Sequence, residues 1–99
     1  MSQYIGYQQV GVAGVVLTAA NLNIPPECSR AHLQATNVDI FYTMDENPVN
    51  PTAITGMVLQ QGLAPEWFEV EDLARIRFIA GGAGNAFLNI HYYGTANIP

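Results

Sequence analysis

Ninety-nine residues, 49% hydrophobic and 11% charged, make one domain with one core, since a chain of this size buries roughly two-thirds of the surface its unfolded form exposes. There is no lysine, and Arg30, Arg75 and Arg77 face eight carboxylates for a net charge of -5, so the basic footprint that nucleic-acid binding needs is missing. The early apolar run VGVAGVVLTAA is too short to span a bilayer and lacks the positive flank of a signal peptide, and the single cysteine, Cys28, has no internal disulfide partner.

Residues 1–9, MSQYIGYQQ, show neither a cap nor a helical stripe and read as an N-terminal arm, with 10–99 as a single β-sandwich domain. Val10 to Leu17 is a valine-rich strand, and the Pro25-Pro26 pair forbids regular ladder hydrogen bonding in the segment after it. In RAHLQATN the residues Ala31, Leu33 and Ala35 alternate with His32, Gln34 and Thr36, which predicts a strand pairing with the next one across a turn at Asn37.

The stretch Val38 to Gly62 reads as the organising hairpin. Val38, Ile40, Tyr42 and Met44 share one face, two Asn-Pro pairs stiffen an acidic turn, and TGMVLQQG returns along the first strand. APEWFEV then gives a short strand with Phe68 and Val70 inward, and RIRFIA alternates Ile76, Phe78 and Ala80 against Arg75, Arg77 and Ile79. After the GGAG loop, NAFLNIHYY sets Ala86, Leu88, Ile90 and Tyr92 against Phe87, Asn89, His91 and Tyr93. About seven short alternating segments with no sustained helical period predict an all-β antiparallel sandwich, jelly-roll or Ig-like.

No catalytic residue or metal site is expected. Cys28 lies four residues from His32, but proximity in sequence is not a geometric pair, and the bland reading is a half-buried loop cysteine. His32 and His91 lack the paired spacings of zinc ligands. The acidic turn with Asp45, Glu46, Asn47 and Asn50 offers oxygens to a calcium ion without the spacing of an EF-hand loop. The GGAG loop opens no helix, so it suits a strand turn better than a phosphate. Arg75 and Arg77 are placed to pair with Glu69 or Glu71.

The outward positions carry more information. Phe41, Trp67, Phe87 and Tyr93 fall opposite the inward face, and the arm adds Tyr4, Ile5 and Tyr7. So many apolar side chains outside a core, in a chain with so little charge, predict an interface.

The segments IPPECSRAHLQATNVDIFYTMDENPVNPTAITGMVLQQG and WFEVEDLARIRFIAGGAGNAFLNIHYYG resemble a group of small tailed-bacteriophage virion proteins. The shared features are Ile24-Pro25, the strand Val38 through Tyr42, Pro51-Thr52, Gly56 through Leu59, Leu73 through Ala80, and Leu88 through Tyr93. The chain departs from that pattern at ENPVN, where a shorter glycine-containing acidic turn is commoner. The resemblance implies a non-enzymatic virion structural protein, foremost a head decoration or cement subunit and alternatively a neck or tail accessory protein. It implies the major capsid protein or another virion protein as partner, with self-association as a trimer; no cofactor is expected, and charge and the short apolar run give no nucleic-acid or membrane partner. Its place would be the virion, after synthesis in the host cytoplasm. A host-glycan-binding module and a small enzyme are the other two classes the residues leave open.

Overall fold

Each alternating segment becomes a strand that turns its apolar face to a shared interior and its other face outward. The computed structural model describes residues 2–45, 49–52 and 54–95. The strands are β1 (Ser2–Val12), β2 (Leu17–Thr18), β3 (Cys28–Thr36), β4 (Ile40–Thr43), β5 (Met57–Leu59), β6 (Glu66–Glu69), β7 (Arg77–Ala80) and β8 (Ala86–Thr95). A 3-10 turn at Ala19–Asn21 and one helical turn, α1 (Val70–Leu73), complete the described elements.

The strands form two four-stranded antiparallel sheets, ordered β1-β8-β3-β6 and β2-β7-β4-β5. β1 pairs with β8, β2 with β7, β3 with β6 and β4 with β5. Those four pairs trace one long hairpin rolled over on itself, the winding of a jelly roll. The fold is therefore the all-β sandwich expected, in its jelly-roll form.

Between the sheets lie Leu33, Ala35, Ile40, Tyr42, Phe68, Ile76, Phe78, Leu88, Ile90 and Tyr92, all buried and all inward by the alternation of the sequence. Val38 and Val70, inward by the same pattern, are half-buried at the core's margin. Val38 precedes β4, and Val70 opens α1 instead of extending β6. The Tyr42 and Phe68 rings meet edge to face at 5.3 Å and join the two sheets. Tyr92 donates its hydroxyl to Gln8 Oε1 at 2.7 Å, and burial pushes its phenol up to about 12. A raised phenol stabilises the fold below the ordinary tyrosine value near 10, and the contribution is lost as pH climbs towards 12.

Three sequence expectations are corrected. Of the segment read as an arm over residues 1–9, the described residues from Ser2 onward belong to β1, which pairs along most of its length with β8. The strand expected over Val10 to Leu17 is broken after Val12, and only Leu17–Thr18 resumes pairing, now in the other sheet. Finally, β3 does not pair with β4. Asn37 takes a left-handed conformation (φ 75°) that asparagine tolerates, and the chain passes from one sheet to the other. Its side-chain amide donates to the Asn85 carbonyl at 2.6 Å, tying this crossing to the loop before β8. Asp39 fixes the same end of the sandwich, its carbonyl accepting from Gly81 N–H at 2.7 Å and its carboxylate from Gln61 N–H at 2.8 Å.

The hairpin β4-β5 is present as expected, with β4 one of the two inner strands of its sheet and β5 an edge. Residues 46–48 of its acidic turn lie outside the described residues, and with them the Glu46 and Asn47 oxygens considered for calcium. Among the described residues no cluster of three or more His, Cys, Asp or Glu side chains could hold a metal. Arg77 donates to Asn50 Oδ1 at the base of this turn, in place of the glutamate pairing anticipated for it.

Close approach of backbones makes Gly94 the most demanding glycine. A methyl group at Gly94 would lie 2.5 Å from the Glu27 carbonyl oxygen, whereas one at Gly11 would meet nothing within 4 Å. Gly94→Ala should lower stability by about 1 to 3 kcal/mol through overpacking, and Gly11→Ala should leave it unchanged or raise it by about 0.5 kcal/mol. Thermal unfolding of the two variants checks the pair. Ile40→Asp, which buries an unpaired carboxylate, should abolish soluble folding, and soluble expression measures it.

Candidate functional site

The outer face of the β1-β8-β3-β6 sheet is built in rungs, because residues paired across neighbouring strands stand side by side. One rung runs Tyr7, His91, His32, Trp67 across all four strands. The adjoining rung runs Tyr4, Tyr93, Arg30, Glu69. On the other side come Gln9, Asn89 and Gln34, and beyond them Gly11, Phe87 and Thr36. The face thus divides into an aromatic half and an amide half.

A β-bulge makes the aromatic half possible. Tyr4 and Tyr7 are three residues apart and would point to opposite faces of a regular strand. The register skips Ile5, placing Tyr4 opposite Tyr93 and Gly6 opposite Tyr92, so both tyrosines emerge on the outer face. Ile5 turns inward and packs against the core. Ile5, expected at the interface with Tyr4 and Tyr7, is half-buried and lies off this face.

The rings contact one another in a chain. Tyr4 meets Tyr93 and His91 edge to face at 5.9 and 5.3 Å, and Tyr7 meets His91 at 5.4 Å. His32 lies 3.6 Å from the Trp67 ring centre and 5.7 Å from that of Tyr93, while Tyr93 and Trp67 are 5.0 Å apart. The Arg30 guanidinium sits 4.2 Å from the centre of the indole, a cation over a π face. Even so, Tyr4, Tyr7 and Trp67 keep 50%, 53% and 46% of their surface exposed.

The amide half is held by hydrogen bonds. Asn89 Oδ1 accepts from the Tyr7 hydroxyl at 2.9 Å and from Gln9 Nε2 at 3.0 Å, and Asn89 Nδ2 donates to Thr36 Oγ1 at 3.2 Å. Gln34 Nε2 donates to the Leu63 carbonyl at 3.0 Å. A shallow groove of about 250 Å³ lies where the halves meet, lined by Tyr7, His32, Gln34, Pro65, Asn89 and His91.

Of the residues singled out from sequence, Tyr4, Tyr7, Trp67 and Tyr93 come together here. Phe87 shares the face but stands beyond the amide rung, beside Gly11 and Thr36. Phe41 lies on the other sheet, half-buried against Gly81, where an added methyl would meet its ring at 2.6 Å. His32 and His91, ordinary outward histidines by sequence, form the middle of the aromatic rung. Their outward position in RAHLQ and NIHYY was legible, but their register with each other was not.

The two imidazoles are cross-strand partners with different ring neighbours, His32 with Trp67 and Tyr93 and His91 with the β1 tyrosines. Cys28 is buried and donates its thiol to the Arg30 carbonyl at 3.4 Å, and burial pushes its pKa up, away from the reactive thiolate. It lies in the core while His32 lies on the outer face, which disposes of the pair.

Burial, then charge interaction with His91 and Arg30, holds His32 below its ordinary value. A depressed histidine contributes stability that is fully present above pH 6.5, the unfolded value, and is lost as pH falls through the folded value. Trp67 is the sole tryptophan, and a protonated imidazole against it should quench its emission. Fluorescence should therefore fall with a midpoint below pH 6.5, and His32→Gln should remove the transition.

No protein-family model, curated protein or solved structure matches this chain, so its function is argued from this face and from the resemblance in its motifs.

Proposed function

We propose that the chain is a non-enzymatic bacteriophage virion structural protein, a capsid decoration or cement subunit that docks the outer face of its β1-β8-β3-β6 sheet on the major capsid protein or another virion protein. The observation that carries the reading is the rung Tyr7, His91, His32, Trp67, an uninterrupted aromatic row across a four-stranded sheet with half-exposed rings at both ends. Tyr, Trp and Arg are the residues that anchor protein interfaces, and here Arg30 and Trp67 are in contact. The resemblance of its motifs to small tailed-phage virion proteins is what suggests a capsid or other virion protein as the partner. The jelly roll adds only an analogy, since viral capsid domains use it and so do lectins.

Such a protein would act by mass action. Binding across several capsid subunits adds binding free energy to their assembled state, about 2.7 kcal/mol per site at a hundredfold excess over Kd, with no chemical step. A net charge of -5 suits an outer surface better than contact with packaged DNA. A trimer at a particle symmetry axis, or a place in the neck or tail, rests on the resemblance alone.

One observation favours a second reading, binding of a host-surface glycan. The groove between Tyr7, the two histidines and the Gln34 and Asn89 amides combines aromatic and amide groups in the way sugars are held. The contacts of His32 and Arg30 with Trp67 leave less of that indole's π face for a sugar.

Particles lacking the protein should lose resistance to heating and chelation, and adding it back should restore that resistance. Trp67→Ala, folded by circular dichroism, should bind those particles about thirtyfold more weakly, corresponding to an anchor of about 2 kcal/mol. Equal resistance with and without the protein would remove the cement role. Retained particle binding by Trp67→Ala would place the docking surface elsewhere, and capture of the free protein by a glycan array would favour the second reading.

A further inference from the structure

Strand β6 covers β3 only from Arg30 to Leu33, so the end of β3 from Gln34 to Thr36 has no strand on that side. A cleft of about 570 Å³ opens there, lined from both sheets. Leu33 and Ala35 of β3 and Leu59 of β5, all buried, form its floor, and the exposed Val58 and Leu63 flank it. The loop after β5 is pinned beside it, with Gly62 N–H donating to the Ala35 carbonyl at 3.1 Å and Gln34 Nε2 to the Leu63 carbonyl at 3.0 Å.

One carboxylate stands at the mouth of this apolar cleft. Glu66 is the register partner of Leu33 and alternates with Trp67, so it takes an inward position on β6 together with Phe68. Burial, then the negative charge of Glu66, pushes the Tyr42 phenol up, which sets the carboxylate on the side of that core ring. An inward charge on an edge strand keeps further strands away. Here it also lines the cleft, and the chain's own arginines are placed elsewhere. Arg30 lies over the indole on the outer face, Arg77 donates to Asn50, and Arg75 lines a separate cavity beside Thr18.

We propose that the cleft receives a lysine side chain of another protein, its alkyl stem lying along Leu33, Leu59 and Leu63 and its ammonium meeting Glu66. Lysine buries an apolar stem while keeping a compact charge at its tip, and apolar walls with a single carboxylate at the mouth match both parts. Charge decides the source. This chain has no lysine and a net charge of -5, so a second copy has no such side chain to offer, whereas a basic partner is drawn to it. The inference does not rest on the virion reading, and the lining of the cleft includes neither Trp67 nor the β1 tyrosines of the docking face.

NMR titration of the full chain with a blocked alanyl-lysyl-alanine peptide at millimolar concentration should shift the amides of residues 33–35, 58, 59, 63, 64 and 66. Norleucine in place of lysine keeps the stem and removes the charge, and that peptide should bind about fivefold more weakly, the upper range for a partly exposed ion pair. Glu66→Gln should lose a similar factor with its circular dichroism unchanged, and Leu63→Ser, at an exposed position, should also weaken binding. Glu27→Gln, which removes the same charge from an exposed position before β3, should not. Equal binding of the norleucine peptide, or unchanged affinity in Glu66→Gln or Leu63→Ser, overturns the proposal. So do an absence of shifts, shifts confined to other residues, or an equal loss in Glu27→Gln, since overall charge alone would then explain the binding.

Discussion

The fold depends most on the unbroken alternation of β8. It is the one strand in its sheet with long partners on both sides, β1 and β3, so its pleat sets which residues of both neighbours face in. Ala86, Leu88, Ile90 and Tyr92 are buried, and the two largest aliphatic members and the tyrosine each contribute about 1.5 to 3 kcal/mol on burial. The same pleat turns Phe87, Asn89, His91 and Tyr93 outward. One ten-residue strand therefore positions both the core and the middle of the candidate site, and a slip of one residue would exchange them.

The inward face was legible because it rests on a local rule. Alternation within short segments marks Leu33, Ile40, Phe78 and Leu88 as inward, and all four are buried, with no knowledge of strand order. Strand order was not legible, since jelly-roll and Ig-like windings place the same period on the same strands. The β4-β5 hairpin looks central in sequence because its turn chemistry is strong, yet turn chemistry marks where a chain reverses and says nothing about the middle of a sheet. Asn37 shows the same limit. An asparagine between two alternating runs reads as a hairpin turn, and here its left-handed backbone carries the chain across to the opposite sheet.

The candidate site was half legible for a related reason. Trp67 and Tyr93 are marked by outward alternation alone. Tyr4 and Tyr7 carry the wrong phase for a common face, and only an inserted residue reconciles them, which a single sequence does not announce. The bulge also reverses the sense of the N-terminal segment. Glycine, glutamine and tyrosine at its positions lack the aliphatic alternation of a core strand, because Gly6 and Gln8 take inward positions that the sandwich fills from elsewhere: Ile5 packs on the core, and Gln8 is engaged by Tyr92 and Asn23.

The aromatic face, on a chain with so little charge, is partly covered from within. The edge-to-face contacts among Tyr4, Tyr7, His91 and Tyr93, and the placing of Trp67 against His32 and Arg30, cover part of each ring within the monomer. The amide rung keeps its hydrogen bonds within the sheet, leaving few flexible polar groups to be desolvated. Rings already held by their neighbours lose little rotamer freedom on docking, and association is weakened by whatever freedom must be lost. A flat face assembled this way is preorganised. Its affinity for a complementary surface would come from the half of each ring that intramolecular packing leaves uncovered, chiefly Tyr4, Tyr7 and Trp67.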